Sequence, residues 1–457
     1  MIHAQTNPNP PRDTTESKME SLIPIGINEF VQMSDIDAVH LFGTVFSKEL
    51  SHLKNAHVTV ESTTATALGR LGENENETPS NVLYKEDFPE VNRTLVSMLA
   101  IKWVIGNEYT SFTATQKTNK LSERSFQRLR DFYNDRIRTT ADLHALLIAM
   151  VIDDIGKDSS LSEEMAQLGV DASFTDHSDL VYKAAQAKLI PSLNIIPANY
   201  QHDVLDCLHI GSKLNISQAV QGECPPASLE ILSHLQGKGN GVNLRAMVTF
   251  LDVAGAGGHA DTRSCIVMGE PVFQAYMSAL DSFDRFSKGT LLSPRACYDH
   301  ILDTRAENLR KLGFEFPADA NGARALSRLL CMGRVTTKEQ AYQFDQALDQ
   351  LSPSAKKDLV NGLNVDGIDD GVAIVPYYAP GLIADALKGT DKTDAMVVPV
   401  LSAFFRFLAK VFDGSESQPG AAGGMIEHDL SFVQDTIKSS NFRDDPTTLD
   451  NVSLPWK

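Results

Sequence analysis

Apolar residues recur along most of this chain at intervals of three and four, the spacing that gathers them on one face of an α-helix. Leu95, Met98, Leu99, Trp103 and Val104 form one such stripe, and 143–155 is an almost unbroken apolar run. The same period continues through 267–286, 296–312, 323–332, 339–351 and 398–412. Strict alternation, the mark of a half-buried strand, is scarce. The short β-like runs 58–60 and 373–377 read as extended loops. The pattern therefore predicts an all-α protein.

Residues 1–20, rich in Pro, Thr and Asn, read as a disordered tail. The segment 413–424, DGSESQPGAAGG, reads as a flexible loop or linker. We expect a main helical unit over 21–320, which holds the candidate chemistry below. A further C-terminal helical region over 321–457 belongs to the same domain or a second one. The most apolar stretch, 395–412, contains Pro399, Arg406 and Lys410, so it reads as a core helix rather than a membrane span.

Charge then narrows the functions. The 457 residues carry 41 Lys+Arg against 59 Asp+Glu, a net charge of −18. That balance argues against nucleic acid and against anionic lipid, both of which need a basic footprint. It leaves phosphorylated small molecules open, because a metal held by carboxylates can bind phosphate. The five cysteines are far apart and odd in number. No disulfide framework or zinc–thiolate site is expected, and a reducing, cytoplasmic setting is. The start of the chain has no apolar signal core.

The most informative segment is 143–158, LHALLIAMVIDDIGKD. An apolar helix runs into Asp153 and Asp154, with Asp158 four residues beyond Asp154. If the helix continued, Asp154 and Asp158 would share a face. Buried carboxylates need a counter-charge, and oxygen-rich clusters suit Mg²⁺ or Mn²⁺. The alternative is a helix end in solvent, stopped by Gly156, with Lys157 as a surface charge. Further candidates follow in order. His177 stands in TDHSDL at a helix start. His202, Asp206 and His209 fall on one helical face. Asp252 ends an apolar helix and precedes AGAGGHADTRS, whose glycines could let backbone approach a ligand and whose Arg263 could clamp a phosphate oxygen. The stripe Phe273, Tyr276, Met277, Leu280 and Phe283 reads as core or as a pocket wall for an isoprenoid. Lys288 closes that helix.

DDIGKD has the form of the aspartate-rich motif of class I terpene synthases. It also resembles the "HD–x–GK" hallmark of HD-domain metalloenzymes, with Asp153 in the place of the family's His. The order Asp153–Asp154, His177, His202, Asp252 and then Lys288 resembles the non-canonical fungal terpene cyclases of the humulene synthase type. The resemblance spans about 143–289. It implies an HD-like helical bundle with additional C-terminal helices. It implies two Mg²⁺ ions held among Asp153, Asp154, Asp158, His177, His202 and Asp252. Lys157, Arg263 and Lys288 would then bind diphosphate, with Asp154 and Lys288 catalytic. The implied reaction is cyclisation of a prenyl diphosphate such as farnesyl diphosphate, in secondary metabolism. The alternatives are an HD-like phosphohydrolase using the same ligands and a non-catalytic helical binding protein. The second metal motif of ordinary class I synthases, the first family His and the paired His are absent. The ligand set is therefore richer in oxygen, which points toward Mg²⁺.

Overall fold

Helix ends follow local chemistry. Pro89 sits in the first turn of helix α1 (Pro89–Ile105), where its missing N–H costs nothing. Helix α2 (Thr140–Ile152) opens on a capping box, in which Thr139 and Asp142 satisfy each other's backbone N–H groups. Asp176 caps helix α3 (His177–Gln186) by accepting the N–H of Asp179. Helices α4 (Ala198–Gly211), α5 (Gly241–Gly255), α6 (Glu270–Ser287), α7 (Pro294–Lys311), α8 (Ala320–Met332) and α9 (Asp394–Phe412) follow. This computed structural model describes residues 25–56, 77–117, 119–174, 176–234, 240–388, 390 and 393–456. The expected tail over 1–20 and the run 58–60 lie outside the described residues.

The class is all-α, as the periodicity predicts. Among the described residues there is one sheet, of two strands, β1 (Asp370–Tyr377) and β2 (Ala421–Asp429). They pair in parallel, with Val375 opposite Glu427 and Tyr377 opposite Asp429. Two sequence expectations are corrected here. The run 373–377 is a strand, not an extended loop, and 413–424 ends inside β2 rather than in a linker. Parallel pairing joins segments about fifty residues apart across intervening helices, so neither strand carries a local hairpin signal.

Buried apolar side chains form two clusters. The first takes in α1 to α6 and reaches Leu302 on α7, and the second starts at Leu309, two turns on. Helix α7 therefore belongs to both. The second cluster is built around α9, whose Phe404, Phe405, Phe407 and Leu408 are fully buried. Among the described residues, α9 is the one helix long and apolar enough to cross a membrane, and 72% of that stretch is buried within the protein. Buried Arg328 of α8 ties the clusters together. Its guanidinium donates to the carbonyls of Gly222 (3.0 Å), Glu223 (3.1 Å), Cys224 (3.4 Å) and Leu363 (2.6 Å).

Candidate active site

Two glycines bring the charged side chains of the first cluster together. Helix α2 stops at Ile152, and Ile155–Lys157 forms a single 3₁₀ turn. A Cβ on Gly156 would lie 2.2 Å from the carbonyl oxygen of His177, so only glycine lets the start of α3 lie against this turn. On α5, a Cβ on Gly255 would lie 2.0 Å from Ser97 Oγ and 2.6 Å from the carbonyl oxygen of Arg93. That close crossing of α5 over α1 sets Asp252 beside Arg93. The glycines after Asp252 thus serve helix packing, not the approach of a ligand.

The result is a ladder of acids and bases. Asp153 accepts from Arg245 at 2.6 Å. Asp154 meets Lys157 at 2.8 Å on one oxygen and His177 Nε2 at 3.5 Å on the other. Lys157 also reaches Glu90 at 3.0 Å, and Glu90 accepts from Arg93 at 3.1 Å. Arg93 lies 3.9 Å from Asp252. These groups border a cavity of about 720 Å³, which all but Glu90 line. The α5 residues Arg245, Thr249 and Asp252 line it together because i, i+4 and i+7 share a helix face.

Burial and mutual repulsion raise some of the acids, while basic partners lower another. Burial, and then the charge of Asp154, push Asp252 up to about 6. The same two causes push Glu90 up to about 7. Burial acts against ionised Asp154 as well. The hydrogen bond to His177 and the charge of Lys157 outweigh it, holding that carboxyl well below its ordinary range. Burial opposes charge on His177, and its bond to Asp154 outweighs this, so the imidazole is raised. Four carboxyl groups thus face three cations, and Asp252 is the one held least closely. The Nε atoms of Arg93 and Arg245 are buried without a hydrogen-bond partner.

The structure gathers some sequence candidates and separates others. Asp153, Asp154, Lys157, His177 and Asp252 line the cavity. Asp158 does not, because the helix ends before it and the 3₁₀ turn aims it away from the cavity, where it is still buried. There it meets His52 at 2.9 Å and Ser160 at 2.6 Å. His202 is 72% exposed and faces Asp206 on the outer side of α4. Arg263 is chelated by Asp261, at 2.8 and 2.6 Å. Lys288 is 68% exposed and paired with Asp284, and neither it nor Arg263 borders the cavity. The aromatic stripe of α6 packs into the core, with Phe273 and Phe283 buried.

Sequence reasoning missed Glu90, Arg93 and Arg245. A signal existed for all three, since each is a charge on an otherwise apolar helical face. It missed the far wall too, where Val375 and Tyr377 of β1 and Met425 and Glu427 of β2 complete the cavity. The last third of the chain is therefore part of the site.

Donor chemistry, rather than a ready cage, is what a metal would find. Carboxylates and an imidazole are suitable ligands for divalent cations. Asp252, close to Asp154 and weakly compensated, would gain from one more positive charge. Among the described residues, however, no three His, Cys, Asp or Glu side chains are gathered as a ligand set. Lys157, Arg245 and His177 hold the oxygens that a metal would share. No curated protein and no solved structure matches the chain. A family model matches residues 39–449, which take in every cavity residue, and the chain belongs to that family, described as a family of unknown function (DUF6829).

Proposed function

We propose that the cavity is the active site of a metal-dependent enzyme that cleaves a small phosphate ester in an HD-like manner. One observation carries this reading: Asp154, His177 and Asp252 stand together with Lys157 and Arg93 on one cavity wall. Carboxylates for a cation and bases for an anion are interleaved there, as phosphate chemistry requires. Asp154 and Asp252 would be the oxygen donors for a Mg²⁺ ion, which commonly takes one or two protein carboxylates together with the substrate phosphate. When bound, it would supply Lewis acidity at the phosphate. Arg93 and Lys157 would orient phosphate oxygens. Glu90 keeps both bases in place from behind. His177, held by Asp154, can carry a proton at Nε2. The five cysteines are buried and unpaired, which supports action in a reducing, cytoplasmic setting.

Cyclisation of a prenyl diphosphate is the second reading, and the same wall would take the diphosphate. The cavity's size and its apolar Leu214, Ile216, Val375 and Met425 favour it. Against it, Tyr377 is the one aromatic side chain among the lining residues, so little is available to stabilise a carbocation. Incubation with Mg²⁺ or Mn²⁺ separates the two. Phosphate and an alcohol from simple phosphate monoesters support hydrolysis, whereas pyrophosphate and a hydrocarbon from farnesyl diphosphate support cyclisation. Neither product with either metal would sink both.

A further inference from the structure

The strands set alternate residues on one face, so Val375 and Tyr377 of β1 and Met425 and Glu427 of β2 turn together toward the cavity. Across from them lies the stretch Gly211–Gln218, every residue of which borders the cavity. This mouth is chemically unlike the inner ladder. Among the described residues Lys213 forms no ion pair. Ser217 Oγ accepts the hydroxyl of Tyr276 at 2.7 Å, which leaves its own hydrogen free to donate into the cavity. Gln218 faces the carboxylate of Glu427 across the opening. Tyr377 is 37% exposed at the same opening.

We infer that this mouth, formed by Lys213, Ser217, Gln218, Tyr377 and Glu427, is a subsite for the hydroxyl-bearing part of the substrate, which is a phosphorylated sugar or polyol. The inference rests on the phosphate-ester reading above and deepens it. A carboxylate accepts from two hydroxyls, and amide, serine and phenol groups can each donate and accept, so together they match a row of alcohols. A prenyl chain laid here would bury the same groups without partners, which disfavours it. The arrangement assigns roles to both halves of the fold. The first cluster holds the phosphate, and the strands of the second select what the phosphate is attached to.

The test is calorimetric binding to the full chain in Mg²⁺, which needs no turnover. The probes are inorganic phosphate, glycerol 3-phosphate, ribose 5-phosphate, glucose 6-phosphate and geranyl phosphate. At least one hydroxylated ester should bind about tenfold or more tightly than inorganic phosphate, and geranyl phosphate should not. Glu427→Ala and Tyr377→Phe change exposed side chains at the mouth. Both should remove most of that gain while leaving inorganic phosphate affinity within about twofold. If phosphate binds but no hydroxylated ester gains over it, or if geranyl phosphate gains more, the subsite is overturned and the phosphate reading stands. If inorganic phosphate itself does not bind, both fall together.

Discussion

Three arginines of this protein sit in two different settings, Arg328 fully buried and Arg93 and Arg245 only partly buried. Arg328, between the clusters, spends its guanidinium on four backbone carbonyls and lies 5.6 Å from the centre of the Tyr298 ring. Around it, Arg324 pairs with Asp299 at 2.8 Å and Asp366 at 2.9 Å, in the same band of the fold. Arg93 and Arg245, in the first cluster, each keep a buried Nε without a partner and face a cavity. A buried charge closed off by carbonyls is a fastener. One left partly unsatisfied beside an opening has capacity for a ligand. Exposure and the kind of partner together separate the two cases.

The largest effect should come from loosening the fastener. Arg328→Met orphans four carbonyls, and at about 1 kcal/mol or more for each it should cost on the order of 4 kcal/mol. Denaturant unfolding measures it. A loss below about 1 kcal/mol would mean that the carbonyls find water, and the contrast with the cavity arginines would fail.

Asp154→Asn asks the opposite question. It removes the charge that holds Lys157 and His177, but the cavity admits water to both. Stability should fall by only about 1–2 kcal/mol. Any phosphate-ester turnover should drop about 100-fold or more, and stabilisation by Mg²⁺ against heat should vanish. Unchanged turnover would remove Asp154 from the chemistry.

Glu223 makes a third comparison, as a buried acid at the junction. It is 4% exposed and accepts from the N–H of Tyr378 at 2.5 Å, just past the end of β1. Burial raises it to about 8. The folded chain therefore binds its proton more tightly than the unfolded chain does. That contribution is complete below the ordinary value near 4.5 and is lost as the pH climbs through about 8. Glu223→Gln keeps the accepting oxygen and has no charge to bury. It should melt close to wild type near pH 5 and about 2 °C or more higher above pH 8. A variant that melts lower at both pH values would show that the carboxylate itself is needed.

These contrasts also explain what was legible in the sequence. Periodicity suffices for the helical class, because each amphipathic face is a local pattern. Asp153, Asp154, Lys157, His177 and Asp252 were readable because each ends or begins an apolar helix, where a charge is conspicuous. Asp158 misled because the i, i+4 rule holds only while the helix continues, and it stops at Ile152. Tyr377 and Glu427 were hidden because a parallel pair has no local turn to announce it. Their sequence neighbours Val375 and Met425, which also line the cavity, are apolar and carry no chemical signal.

The smallest expected effect is the sharpest separation of linear order from geometry. Lys288 follows the aromatic helix at the place where an essential lysine was expected. In the fold it is the residue just past α6, 2.6 Å from Asp284 and mostly in solvent. An exposed i, i+4 pair contributes about 0.3–0.5 kcal/mol. Lys288→Ala should therefore leave folding, Mg²⁺ response and turnover of any substrate within about twofold of wild type. Lys157→Ala should abolish phosphate binding, since that lysine stands between Glu90 and Asp154 at the cavity wall. If the two variants exchanged these outcomes, the diphosphate would have to sit at the end of α6. The ladder around Asp154 would then be a second fastener like Arg328, and the cavity would lose its claim to be the active site.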